Sequence, residues 1–199
     1  GIDTESYEEG LRRVLRQDPD VILIGELRDR ESAETALQAA ESGHLVLSTM
    51  HTVDAAETLG RLVEFFPAAK QPQVRSILAG VLKGVISQRL LPRTDGGRIA
   101  AVEVMVANAR IRELIRENKP EFVPEAIAEG AFFQMQTLTK ALIDLVLSGD
   151  VDEETAAAAA PNRHDFTIAL SRALKEQTVS ESEEAAKAAA DAASALKGD

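Results

Sequence analysis

The stretch DPDVILIGELRDRESAETALQAAESGHLVLSTMHTVD, Asp18–Asp54, decides the fold. It holds two apolar runs, Val21–Ile24 and Leu45–Leu47. Between them Ala33, Ala36, Leu37 and Ala40 fall on one helical face. A short, wholly apolar run reads as a strand buried on both faces. Strand, helix, strand over this length is a βαβ unit, with parallel strands and a right-handed crossover. Each run ends in polar residues that a buried strand does not need: Gly25-Glu26-Leu27-Arg28-Asp29 and Ser48-Thr49-Met50-His51-Thr52. Ligands of open parallel sheets bind beyond the carboxyl ends of the strands, so Glu26 and His51 are expected to face one crevice. A glutamate just past an apolar strand is the Walker B arrangement, in which a carboxylate orients the water that attacks a phosphate. His51 is placed to sense that phosphate or to hydrogen-bond Glu26. The residues alone also allow a blander reading: a strand-end acid paired with Arg28, and a satisfied strand-end histidine. Asp29 is expected to steady Arg28 or the loop.

Upstream, Ser6-x-x-Glu9 can form a capping box, and Tyr7, Leu11, Val14 and Leu15 form a helical stripe that Asp18-Pro19 stops. Downstream, Gly43 stands where a left-handed helix cap is wanted. Asp54 can cap a helix through about Phe66. Pro72 suits the first turn of the next helix, whose stripe runs from Val74 to Val85. Ser87–Leu91 and Arg98–Val106 read as strands joined by a turn at Thr94-Asp95-Gly96-Gly97. From Asn108 onward only helical patterns occur. Pro120 and Pro124 mark a connector, Leu138, Leu142 and Leu145 a helix, Asp152 a cap for Glu153–Ala160, and Asp165 a cap for the last helix. The expected organisation is a sheet-bearing portion over residues 1–107, a helical region over 108–175, and a frayed helical or disordered tail over 176–199, rich in alanine and charge.

The net charge of −11 argues against nonspecific nucleic-acid binding, which needs Lys and Arg to displace counterions. It also argues against docking on an anionic membrane surface. There is no cysteine, hence no disulfide and no thiolate metal site. The three histidines are too scattered for a helical zinc pair, and no metal site is expected from them. His44 reads as structural and His164 as a loop or cap residue. Arg61 and Arg89 read equally as subunit- or phosphate-facing and as surface or capping residues. Arg112, Glu113, Arg116 and Glu117 read as a solvated face. There is no signal peptide and no long apolar run, so a cytoplasmic location is the default.

Several ordered motifs together resemble one family. DPDVILIGELRD resembles the Walker B box of the secretion-superfamily ATPases, and GHLVLSTMHTVDAAETLGRLVEFFP their histidine box. GVLKGVISQRLLPR, GGRIAAVEVMVA, IRELIREN and AIAEGAFFQMQTL resemble the type IV pilus retraction branch, from about Gly1 to about Leu174. The absence of the four-cysteine motif of the assembly and secretion ATPases favours the same branch. The resemblance implies an α/β, RecA-like P-loop NTPase core, here its C-terminal portion, followed by a small all-helical region. It implies a hexamer that hydrolyses ATP with Mg²⁺ at the inner face of the cytoplasmic membrane and pulls on the membrane platform protein of a pilus, without itself inserting in the membrane. Glu26 would be the catalytic glutamate and His51 the histidine-box residue, with Arg28 and Thr49 as candidate nucleotide contacts. Leu114, Ile115, Arg116 and Glu117 would fall in a motif needed for pulling, with Asn118 where glycine is usual. The 199 residues contain no G-x-x-x-x-G-K-[ST] phosphate loop. The chain is therefore expected to belong to a longer motor and to be inactive alone; the other possibility is a non-catalytic accessory paralogue.

Overall fold

The computed structural model describes residues 9, 10, 13, 14, 17 and 19–195, with side chains described through Val179 and at Ser182. The capping box at Ser6 and most of the Tyr7–Leu15 stripe lie outside the described residues.

Val21–Ile24 (β1) and Leu45–Ser48 (β2) pair in parallel, Val21 opposite Leu45 and Ile24 opposite Ser48. Arg30–Glu41 (α1) makes the crossover, and Gly43 follows it at φ +103°, the left-handed cap the sequence called for. Ile22 and Ile24 pack on Ala36 and Ala39 of α1. The opposite face is bare: Val21 and Leu23 are 50% and 73% exposed, Leu45 and Leu47 46% and 49%. The expectation of strands buried on both faces is thus corrected. Among the described residues β1 and β2 pair only with each other, and α1 packs on them together with Val14. A bare apolar face beside unpaired strand edges favours self-association.

Downstream, Ala55–Glu64 (α2) and Gln71–Val81 (α3) contribute Leu59, Val63, Val74 and Leu78 to one core. Asp54 caps α2 by accepting the Glu57 N–H, and Pro72 sits in the first turn of α3, both as expected. The apolar stripe to Val85 overran the helix. Leu82 leaves it at ψ +133°, and a strand, Gly84–Pro92 (β3), begins two residues later. The reason lies across the hairpin, on Arg98–Val106 (β4): a Cβ at residue 84 would stand 2.7 Å from the Met105 carbonyl oxygen. Only glycine lets the strands approach that closely. At the other end Gly96 and Gly97 take φ +98° and +79°, closing the turn.

Ala109–Glu117 (α4) buries Ile111, Leu114 and Ile115. Arg112 does not belong to a solvated face. Its guanidinium turns back to the end of α3 and donates to the carbonyls of Ala79, Gly80 and Leu82. These acceptors are among the last carbonyls of a helix, which lack intrahelical donors. Arg112→Ala is expected to cost about 1–3 kcal/mol, read as a lower midpoint in urea. The connector holds a 3₁₀ turn, Pro120–Phe122, and a short helix, Val123–Ala128 (α5), each with proline in its first turn, where the missing N–H costs nothing.

Leu138–Leu147 (α6), Glu153–Ala159 (α7) and Arg163–Ala195 (α8) form a second core with the hairpin tip, through Leu91, Leu142, Phe166 and Leu170. Asp152 caps α7. The cap of α8 is Asn162, which accepts the His164 and Asp165 N–H groups, and not Asp165. Alanine's helical propensity is consistent with α8 continuing past Leu174 to Ala195. Strands end at Val106 and helices follow, but packing divides the chain elsewhere. One compact unit takes the chain through Gln88 together with Val102–Thr137; the other takes Arg89–Ala101 and the chain from Leu138.

Candidate functional site

Beyond the last paired residues the two strands stay stitched together. The Ser48 and Thr49 hydroxyls donate to the carbonyls of Ile24 and Gly25, each at 2.7 Å. The Leu27 N–H then donates to the Thr49 carbonyl at 2.9 Å. The register of β1 on β2 is therefore carried into the loops, and it sets Glu26 against His51. Glu26 Oε2 lies 3.0 Å from His51 Nε2. Its other oxygen, Oε1, forms an ion pair with Arg28. The two strand-end residues that the sequence placed in one crevice are in contact, with Arg28 beside them.

The next turn is fixed by Asp29. It caps α1, with the Arg28 charge also acting on it: its carboxylate accepts the Ser32 N–H and hydroxyl, both at 2.9 Å, and the Ser32 hydroxyl oxygen accepts the Asp29 N–H. That capping box ties the backbone of Arg28 to the first turn of α1, since the Arg28 N–H also reaches Ser32 Oγ. The same hydrogen bonds from Ser32 hold the Asp29 carboxyl below its usual range.

Hydrogen bonding to Arg28 holds the Glu26 carboxyl below the ordinary glutamate range, joined by the Arg28 charge and by His51 and opposed by partial desolvation. The folded-state pKa is lowered. The carboxylate's contribution to stability is thus present above the unfolded value of about 4.3 and is lost as pH falls through the folded value. Glu26→Gln is expected to remove this share of the acid-side fall in melting temperature, measured by circular dichroism between neutral pH and the acid limb. An unchanged profile counts against the ion pair. At neutral pH the group is an ionised acceptor with its two oxygens held in different directions, a geometry suited to fixing one water.

The other candidates lie apart from this pair or serve the scaffold. Thr49 spends its hydroxyl on Gly25. Leu114 and Ile115 are core residues at 1% and 5% exposure, while Arg116 and Glu117 are exposed on α4, with Glu117 paired to Lys119 at 2.8 Å. His44 Nδ1 contacts Ser42 Oγ and the Ala39 carbonyl oxygen, a structural role. Arg61 lies over the Phe65 ring, and Arg89 donates to the Ala159 carbonyl. Sequence reading missed Glu103. It lies on β4 at 6% exposure and accepts the Ala55 N–H at 2.8 Å. A signal was available: Ala101, Glu103 and Met105 alternate on the inward face, and a carboxylate in such a row needs a partner. Among the described residues no three His, Asp or Glu gather as a metal site, and no helix is long and apolar enough to cross a membrane.

The parallel strand pair and its crossover helix form an α/β core with an acid–imidazole contact at the strand ends, and the solved structures similar to it are ATPases of the secretion class. Residues 3–96 match the family described as type II/IV secretion system protein. The type IV pilus retraction ATPase PilT of Pseudomonas aeruginosa is 46% identical over 82% of this chain and 48% of its own length. A twitching motility protein of Neisseria gonorrhoeae is 46% identical over 83% of this chain and 44% of its own. A crystal structure of the pilus retraction motor PilT with bound ADP superposes with a TM-score of 0.73 at 47% identity, covering 83% of this chain and 46% of that one. The chain is a homologue of the secretion-superfamily ATPases, and its close homologues are the PilT retraction ATPases of type IV pili. It spans about half the length of the curated relatives it matches.

Proposed function

We propose that this chain is the C-terminal portion of a hexameric motor that hydrolyses ATP to retract type IV pili. The observation that supports this reading best is the contact of Glu26 with His51 at paired strand ends, in a chain 46% identical to PilT over most of its length. ATP with Mg²⁺ supplies the phosphoanhydride that is broken, and a phosphate loop elsewhere in the motor is its cradle. Glu26 accepts a hydrogen bond from the attacking water and aims it. Arg28 and His51 fix the carboxylate, one on each oxygen, and its remaining lone pairs receive that water. His51 thereby links the carboxylate to the phosphate side of the site. Arg28 and Thr49 are the remaining candidates for nucleotide contact, and Leu114–Glu117 for the pulling step. The motor works at the cytoplasmic face of the inner membrane against the platform protein of the pilus, with no nucleic acid involved. Its proposed divisions are the sheet-bearing residues 1–107, the helical region 108–175 and the tail 176–199.

The test is ATP hydrolysis by a protein joining this chain to a phosphate-loop half, beside this chain alone. Turnover confined to the joined protein is expected. No turnover in either overturns the proposal.

A further inference from the structure

His51 is 91% exposed in its side chain, so little packing around the ring holds it against Glu26. Its loop must do so. Upstream the loop is pinned to β1 through Thr49. Downstream it is tied to the first turn of α2: Thr52 and Thr58 share a hydroxyl hydrogen bond at 2.7 Å, the Val53 N–H donates to Glu57 Oε2, and the Thr58 hydroxyl donates to the Asp54 carbonyl. That first turn is held in turn from β4, where Glu103 Oε1 accepts the Ala55 N–H. Asp54 serves a different donor, the N–H of Glu57. A buried carboxylate is costly unless it is hydrogen-bonded, and the N-terminus of a helix is where negative charge is favoured.

We infer that Glu103 is a positioning residue for His51, acting through the first turn of α2. Its meaning for hydrolysis rests on the reading of Glu26 and His51 given above, but the positioning itself needs no nucleotide. By this inference the β4 carboxylate sets where α2 begins, α2 sets the loop, and the loop presents Nε2 to Glu26.

The test is the imidazole ¹⁵N correlation spectrum of the full chain, with His44 as internal control. Glu26→Ala defines the signals of an uncoupled His51, since alanine offers the ring neither acceptor nor donor. Glu103→Gln keeps an acceptor for Ala55 and is expected to leave His51 as in the wild type. Glu103→Leu removes it and is expected to move His51 to the Glu26→Ala position while His44 stays. Wild-type His51 signals in a folded Glu103→Leu protein, or the same displacement in both Glu103 variants, overturn the inference. Should the leucine variant not fold, Ala55→Pro removes the donor instead, at a first helical position that tolerates proline. Asp54, at φ −151° and ψ 174°, already has the extended backbone required before one. The same displacement is expected there, and an unmoved His51 has the same adverse meaning. No nucleotide enters the experiment. A negative result therefore leaves the hydrolytic reading intact, and an inactive motor leaves a positive result intact.

Discussion

Glu26→Ala is expected to abolish ATP turnover in the complete motor while leaving nucleotide binding nearly intact. Removing a positioned general base or water-orienting carboxylate typically slows the chemical step by about 10²–10⁴-fold. Binding should survive because the phosphate loop, not this carboxylate, carries the triphosphate. Glu26→Gln is the sharper companion. It keeps the shape, but its amide presents a donor toward either Arg28 or His51, where the carboxylate presents two acceptors. Steady-state hydrolysis together with equilibrium titration of a fluorescent ATP analogue separates the two effects. Turnover within a few-fold of wild type in Glu26→Ala removes Glu26 from the mechanism. A parallel loss of binding and turnover would mean that the residue holds the nucleotide rather than the water.

The strand ends were legible for a definite reason. Polar residues following an apolar run have one place to go in a parallel sheet, so the sequence alone places Glu26 and His51 together. Gly43, Asp54, Pro72 and the paired glycines of the hairpin were legible because each has a backbone requirement that few other residues meet. What failed did so where long-range contact decides. Leu82 and Val85 continue a helical period, yet the helix stops because β3 must close on Met105, which a local pattern does not record. Arg112 looks solvated from its neighbours and is instead spent on three carbonyls about 30 residues upstream. The faces of β1 and β2 read as doubly buried from their composition, but Val21, Leu23, Leu45 and Leu47 are exposed, because burial depends on what packs against a strand. Glu103 gives no strand-end signal, because its carboxylate lies within β4 and its partner, the Ala55 N–H, comes from 48 residues upstream.

Leu114→Ala and Arg116→Ala, two positions apart in the stretch proposed for pulling, should behave oppositely. Leu114 is 1% exposed and packs in the same core as Leu78, Met105, Ile111 and Ile127. Truncating a leucine in such a place costs about 2–5 kcal/mol, through lost transfer energy and the cavity left behind. For a chain of this size that amounts to a fall in melting temperature of about 4–20 °C. Arg116 is exposed and makes no hydrogen bond or ion pair among the described residues. Its charge is therefore available to a partner, whereas the carboxylate of Glu117 is already shared with Lys119. Arg116→Ala should leave the melting temperature and ATP turnover unchanged and reduce pilus retraction, measured as twitching motility in cells carrying the full-length variant. Loss of motility in Leu114→Ala says nothing about pulling unless the protein is shown to be folded at the assay temperature. If Arg116→Ala melts early, its role is structural. If it melts and moves as the wild type does, the pulling role falls for this residue, and Leu114–Glu117 is reduced to a core helix whose exposed side touches nothing that matters.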